Sequence, residues 1–231
     1  MTDPTPVAVI GGLGTGLSAH LAARLAARGY RVAGLSRRGT PPPAAAPDCR
    51  SYACDIADAA AVAAAFAAIR TELGAPSLYI HNASQRVIGD FLETAPEDFE
   101  RLWRTACLGA VLCAQQVLPD MLAAGRGTLI FTGATGSLRG GARFSAFASS
   151  KFAVRALAQS LARAYGARGI HVAHVVIDGI IWSDSVAERH GMAQEDCLDP
   201  GAIADAYLAL ADQPPSCWSH EIDLRVAKES F

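Results

Sequence analysis

Basic charge is the first thing this 231-residue chain lacks: its formal net charge is −2 and only 18% of its residues are charged. Binding a phosphate backbone takes a clustered excess of Lys and Arg, so nucleic acid is not an expected partner. No uninterrupted apolar run approaches the ~20 residues of a membrane span. The opening MTDPTPVAVIGG goes almost at once into a strand, without the charged start, apolar core and cleavage site of a secretory signal. The expectation is a cytoplasmic protein with no membrane partner. Its cysteines, Cys49, Cys54, Cys107, Cys113, Cys197 and Cys217, form no C-x-x-C pair and no metal-ligand spacing, and read as small apolar fillers in a reducing compartment. His171 and His174 have no third metal-type residue placed with them, so they read as packed or edge histidines and no metal is expected. Internal repeats and linkers are also missing. At this length a core needs no staples, and one domain over residues 1–231 is expected.

What is present is an alternation of short apolar strands and Ala-rich helices. Val7-Ala8-Val9-Ile10 runs into GGLGTGLS and then a helix to about Gly29. A strand that delivers a glycine-rich turn to a helix N-terminus is a phosphate cradle, because glycines allow close backbone approach and the unpaired N–H groups face the anion. A second strand, Arg31 to Leu35, ends in Ser36-Arg37-Arg38. An acidic residue there would take an adenosine ribose 2′-hydroxyl, whereas a hydroxyl and two guanidinium groups suit a 2′-phosphate. NADP(H) is therefore favoured over NAD(H). A proline-rich loop from Thr40 to Pro47 leads to a third strand ending at Asp55, which could also cap the helix from Ala57 to about Leu73. A fourth strand, Ser77 to Ile80, closes with His81-Asn82-Ala83-Ser84, and a long helix follows from Pro96 to Met121 with Thr94 as its N-cap.

The stretch from Gly127 to Gly169 carries the most chemistry: strand Leu129 to Thr132, a glycine-rich loop, then a helix with Phe147 and Lys151 four apart on one face. A sixth strand, Ile170 to Ile177, is apolar throughout, as a parallel strand covered by helices should be. It ends at Asp178-Gly179-Ile180, where the carboxylate either faces the ligand crevice at the strand's C-terminal end or belongs to a plain D-G turn. An irregular piece around 180–200 reads as a small substrate lid. A helix near Gly201 to Ala211 and a last strand near Glu221 to Leu224 complete the chain.

In these motifs the chain resembles the short-chain dehydrogenase/reductase family. Gly12-x-x-x-Gly16 has that family's spacing, with Ser18 at its third glycine, and Asn82-Ala83-Ser84 stands where the family has N-A-G. The sequences TGATGSLRG, FxxxK, HVVIDG and HEIDLR resemble a bacterial subgroup with phenylalanine at the tyrosine position. The resemblance implies an α/β fold, a Rossmann-type, doubly wound, parallel seven-stranded sheet in a single domain. It also implies nicotinamide-dinucleotide contacts from Gly12, Gly14, Thr15, Gly16, Leu17, Ser36, Arg37, Arg38, Asp55, Ile56, Asn82, Ala83, Ser84, Lys151 and Ile180. Family members are commonly dimers or tetramers through their two long helices, so a homodimer or homotetramer is expected here.

The same resemblance assigns catalysis to a Ser, a Tyr and a Lys, whose positions here are Ala134, Phe147 and Lys151. An Asn of the long helix that holds a water of the proton relay corresponds to Ala106. Reduction of a ketone needs a proton donor, worth on the order of 10²–10⁴-fold, and Phe147 cannot donate. Three readings remain open. One is an NADP-dependent reductase of an acceptor that needs no acid there, an imine, iminium or activated alkene, with Asp178, Ser84, Thr135 or Ser137 as possible polar groups. The second is a nucleotide-binding sensor or scaffold. The third is a non-redox enzyme using the same pocket. The expected small-molecule substrate is not identified by the sequence.

Overall fold

The computed structural model describes residues 5–39 and 49–228, so the loop expected over 40–47 lies outside the described residues. Seven strands form one sheet: β1 Val7–Gly11, β2 Arg31–Ser36, β3 Cys49–Ala53, β4 Pro76–His81, β5 Gly127–Thr132, β6 Ile170–Asp178 and β7 Glu221–Arg225. Their spatial order is β3-β2-β1-β4-β5-β6-β7 and every pairing is parallel. This is the doubly wound Rossmann-type sheet expected from the sequence.

Parallel strands need helical crossovers, which cover both faces. Hence β1 and β6 are buried along their whole lengths. On one face α2 (Ala59–Glu72), α4 (Gly109–Ala124) and α5 (Ser145–Tyr165) bury Phe66, Val117 and Val154 against Val9, Leu129 and Val172. On the other, α1 (Leu17–Ala27) and α7 (Pro200–Ala211) bury Leu21, Leu25 and Tyr207 against Ile10, Ile80 and Val175. The order of connection reverses between β1 and β4. That switch point opens the crevice in which such sheets hold ligands, at the strands' C-terminal ends.

Several local expectations are corrected. Thr94 is not an N-cap: its hydroxyl donates to the Asp90 carbonyl, and α3 (Pro96–Trp103) starts from Ala95 with Pro96 in its first turn. Asp55 does not cap α2. Its carboxylate accepts from Ala57 N within its own turn, and the cap is Asp58, which accepts from Ala60 N at 2.8 Å and Ala61 N at 2.9 Å. Asp58→Ala should cost about 1 kcal/mol, the usual worth of such a cap, read as a denaturation midpoint shifted at constant slope. The long helix continues past Met121 and is interrupted by a π-helical turn, Arg104–Leu108, that links α3 to α4 and contains Ala106. As one unit, Pro96–Ala124 is long and apolar enough to cross a membrane, although no uninterrupted apolar run in the sequence suggests it; half of its most apolar window is buried. The stretch around 180–200 is not wholly irregular: it holds the short helix α6 (Asp184–His190) and is closed at its base by Ile180 and Trp182 backbone bonds to Leu198, each 2.8 Å.

Candidate active site

The glycine loop after β1 is held from two sides. Gly12 N and Leu13 N both donate to the Leu35 carbonyl of β2, at 3.0 and 2.8 Å. Across the switch point, Asn82 N donates to the Gly11 carbonyl at 2.9 Å. Gly12 has φ +90°, and a Cβ there would lie 2.6 Å from Ala83 Cα, so only glycine fits between the loop and the end of β4. Ser18 is accommodated by bonding the loop itself: its hydroxyl accepts from Gly14 N at 2.8 Å. Helix α1 begins at Gly16 without a side-chain cap, leaving first-turn N–H groups for an anion.

These residues line a cleft of about 1000 Å³. Its floor is the glycine loop with Leu17; its rim carries Ser36, Arg37, Arg38, Asp55 and Ile56; Asn82, Ala83 and Ser84 line its inner end. The Ser36 hydroxyl accepts from Gly39 N at 3.1 Å, which shapes the turn beneath the two exposed arginines. The opposite wall was not anticipated from the sequence. It consists of Glu97, Glu100, Arg101 and Arg104, whose three- and four-residue spacings place them together on the exposed face of α3 and the π turn. Arg104 ties that wall to the rim by donating to the Ala57 carbonyl, next to Ile56, at 3.3 Å.

Lys151 is not among the residues lining the cleft: it is buried at 3% exposure, with Nζ donating to the Thr132 carbonyl at 2.8 Å. Burial pulls its ammonium down from 10.5 to about 8. The Phe147 ring lies alongside, its centroid 5.8 Å from Nζ, and packs on Gly136, where an added Cβ would come within 3.1 Å of the ring. His81 is fully buried behind them; burial, then the Lys151 charge, holds its imidazole down at about 3, so it is neutral. Its Nδ1 shares a 2.7 Å hydrogen bond with the Tyr79 hydroxyl. Two positions also stand out compositionally: Asn82 is the only asparagine, and Lys151 is one of two lysines beside eighteen arginines. An arginine could not replace Lys151 in kind, since a guanidinium stays charged and needs a wider, forked set of acceptors.

The polar groups suggested by the sequence separate. Ser137 is wholly buried and its hydroxyl accepts from Ala134 N at 3.2 Å. Ser84 borders the cleft, with only a 3.4 Å bond to the Gln85 carbonyl. Ile180 sits at the base of the lid and is not among the residues lining the cleft. Asp178 does not face the crevice as an open carboxylate. The β6–β7 register sets it opposite Arg225, whose Nη2 donates to Oδ2 at 2.7 Å; Arg139 approaches to 3.7 Å, and Oδ1 receives a short bond from the Thr135 hydroxyl. His171 and His174 are packed within β6, the latter against Glu221 at 2.9 Å. Among the described residues no group of three or more His, Cys, Asp and Glu is placed to hold a metal.

A glycine loop open to an anion, cations at the β2 tip and a buried lysine with a single carbonyl partner fit the diphosphate, the adenosine ribose and the nicotinamide ribose of a dinucleotide. Residues 6–192 match the family model described as short chain dehydrogenase. The 2-(R)-hydroxypropyl-CoM dehydrogenase of Xanthobacter autotrophicus is 32% identical over 90% of this chain and 91% of its own. The D-threitol dehydrogenase of Mycolicibacterium smegmatis is 28% identical over 72% of this chain, which spans 66% of that relative's length. A short-chain dehydrogenase structure from Rhodopseudomonas palustris superimposes with a TM-score of 0.83 at 32% identity, covering 96% of this chain and 99% of that one. More distant proteins of the same fold have been solved with NADP and with NADH bound. The chain belongs to the short-chain dehydrogenase/reductase family of oxidoreductases.

Proposed function

We propose that this protein is an NADP(H)-dependent oxidoreductase with non-standard catalytic residues, acting on an acceptor that needs no acid at the usual position: an imine, an iminium or an activated alkene. The observation that carries the reading is the contrast within one site. The dinucleotide cleft and Lys151 are intact, while an apolar ring, Phe147, and a methyl group, Ala134, stand at the positions that the family resemblance gives to the proton-donating tyrosine and serine. The bound dinucleotide supplies hydride. What the chain supplies is position: α1 holds the diphosphate by its N-terminus, Arg37 and Arg38 hold the 2′-phosphate, and the Lys151 ammonium holds the nicotinamide ribose. Without a donor at 147, an acceptor that must be protonated at oxygen loses general-acid assistance, whereas one that already carries its proton does not.

The same contrast favours a second reading, a nucleotide-binding protein that transfers no hydride. Both are tested by titrating nucleotide-free protein with NADPH and NADH, then following nicotinamide absorbance with panels of ketones, cyclic imines and enones. Oxidation of NADPH by imines or enones supports the first reading; binding without oxidation by any panel leaves the second. Replacing Arg37 and Arg38 together by Ala should weaken NADPH by about 100-fold or more and NADH hardly at all, since two charge-assisted bonds to the 2′-phosphate at about 1.5–3 kcal/mol each amount to at least about 3 kcal/mol. Equal losses for both nucleotides would remove the NADP preference.

The proposal includes a homodimer or homotetramer. Trp103 on α3 and Phe152 on the neighbouring α5 are large apolar side chains left partly exposed, which supports pairing through these helices. It also places the protein in the cytoplasm, where five buried, unpaired thiols stay reduced.

A further inference from the structure

We infer that the Thr135 hydroxyl meets the substrate's reacting heteroatom as a hydrogen-bond acceptor, held in that role by Asp178, so that the site selects substrates carrying a hydrogen on that atom. This rests on the oxidoreductase reading above and narrows its substrate class from imines and alkenes to imines bearing N–H when protonated.

Thr135 follows Ala134 directly and opens the short 3-10 turn Thr135–Ser137 after β5; it is half-buried and precedes Gly136, where an added Cβ would come within 3.1 Å of the Phe147 ring. It is thus the hydroxyl adjoining the two positions that have lost theirs. A hydroxyl has one proton and two lone pairs, and a carboxylate can only accept. Because Asp178 Oδ1 takes the Thr135 proton, what Thr135 has left to offer is lone pairs. A hydroxyl that donates to a carboxylate is also a stronger acceptor, since chained hydrogen bonds polarise one another.

Asp178 is fixed in this arrangement from its other side. It is 3% exposed, its Oδ2 accepts from Arg225 at 2.7 Å, and Arg139 stands 3.7 Å away. Arg225 is itself shared with Asp223 at 2.9 Å. The Asp178 charge is already engaged by guanidiniums, and discrimination comes from the hydrogen bond. Asp178 is a positioning residue: it touches Thr135, and Thr135 touches the substrate. Neither Phe147 nor Ala134 can donate to a carbonyl oxygen, and Thr135 as held cannot either. A protonated imine fits instead. Its N–H donates to Thr135, hydride adds to its carbon, the π pair moves to nitrogen, and the amine forms with no proton to be supplied.

The test is binding to the NADP⁺ complex, followed by calorimetry, of three ligands with the same bicyclic skeleton: the 1,2,3,4-tetrahydroisoquinolinium ion, its N,N-dimethyl quaternary ion, and 2-tetralone. The secondary ammonium ion should bind about 10-fold more tightly than the other two. Thr135→Val should erase that preference, Thr135→Ser should keep it, and NADP⁺ affinity should be unchanged in both. Asp178→Asn, whose amide can donate to Thr135 and turn the hydroxyl proton outward, should shift preference toward the ketone. Equal binding of the quaternary ion, tighter binding of the ketone, no binding of any of the three, or a preference that survives Thr135→Val overturns the inference and leaves the oxidoreductase reading standing. Failure of NADP⁺ itself to bind overturns both.

Discussion

Gly16→Ala should leave the protein's stability intact and take away roughly 100-fold of its NADPH affinity, whereas Gly12→Ala should cost stability as well as affinity. Nothing lies within 4 Å of a Cβ built on Gly16, so an added methyl meets only the open cleft. There it occupies space where a diphosphate must approach the start of α1, and losing one or two charge-assisted bonds to backbone N–H groups costs about 3 kcal/mol. At Gly12 the backbone is at φ +90° and a Cβ would come 2.6 Å from Ala83 Cα and 2.7 Å from Ala83 N. Backbone cannot step aside as a side chain can. With left-handed strain of about 1–3 kcal/mol added to that clash, a total loss of about 3 kcal/mol or more should lower the melting temperature by roughly 10 °C. Thermal melts and NADPH fluorescence titrations of the two variants check both halves. If Gly16→Ala binds NADPH as the natural chain does, the glycine loop is not the diphosphate site.

Lys151→Met should stabilise the nucleotide-free protein and cripple its cofactor binding. The ammonium is buried and, among the described residues, hydrogen-bonds one carbonyl and no carboxylate, and burial lowers its pKa to about 8 from 10.5. Below the folded-state value the unfolded chain holds this proton as readily as the native one but without the desolvation penalty, which costs the native state on the order of 3 kcal/mol. A methionine of similar length removes that penalty and gives up the bond to the Thr132 carbonyl, worth about 1 kcal/mol. The net gain, about 1–2 kcal/mol at neutral pH, corresponds to a melting temperature higher by roughly 3–8 °C.

The sign with pH follows. Between about 8 and 10.5 the unfolded chain binds more protons at this site, so the natural protein gains stability as pH rises through that window, and the variant's advantage shrinks there. NADPH affinity should move the other way, falling at least 10-fold in the variant, because the ribose loses a charge-assisted donor. A variant less stable than the natural protein at neutral pH would mean that Lys151 is held by more than its one carbonyl. Stability surrendered at a binding site is common where function needs a buried charge.

Much of this could be read from the residues in order. The strand, glycine loop and helix at the N-terminus, the apolar β6, and Lys151 one helical turn beyond Phe147 are local patterns with local causes, and they lie where expected. Caps were harder. Thr94 and Asp58 are both plausible caps by type, but Thr94 bonds backward to Asp90, and Asp58, three residues after Asp55, starts the turn that α2 continues. The π turn at Arg104–Leu108 is not read from its own residues; it joins α3 to α4 and packs against α5. Ser18 reads as a weakened glycine motif until its hydroxyl is seen to bond Gly14.

By itself the sequence determined the alternation of strands and helices and the phosphate-binding glycine loop, and carried the family resemblance that implied a seven-stranded sheet, because periodicity, glycine spacing and the residues at strand tips act within a few positions of one another. Only the tertiary structure decided what Asp178 does. Its partner Arg225 lies 47 residues on and is brought opposite by the β6–β7 register, and its other neighbour, Thr135, comes from the 3-10 turn that follows β5. A carboxylate's role depends on who fills its lone pairs, and that is settled by strands meeting side by side rather than by the order of residues along any one of them.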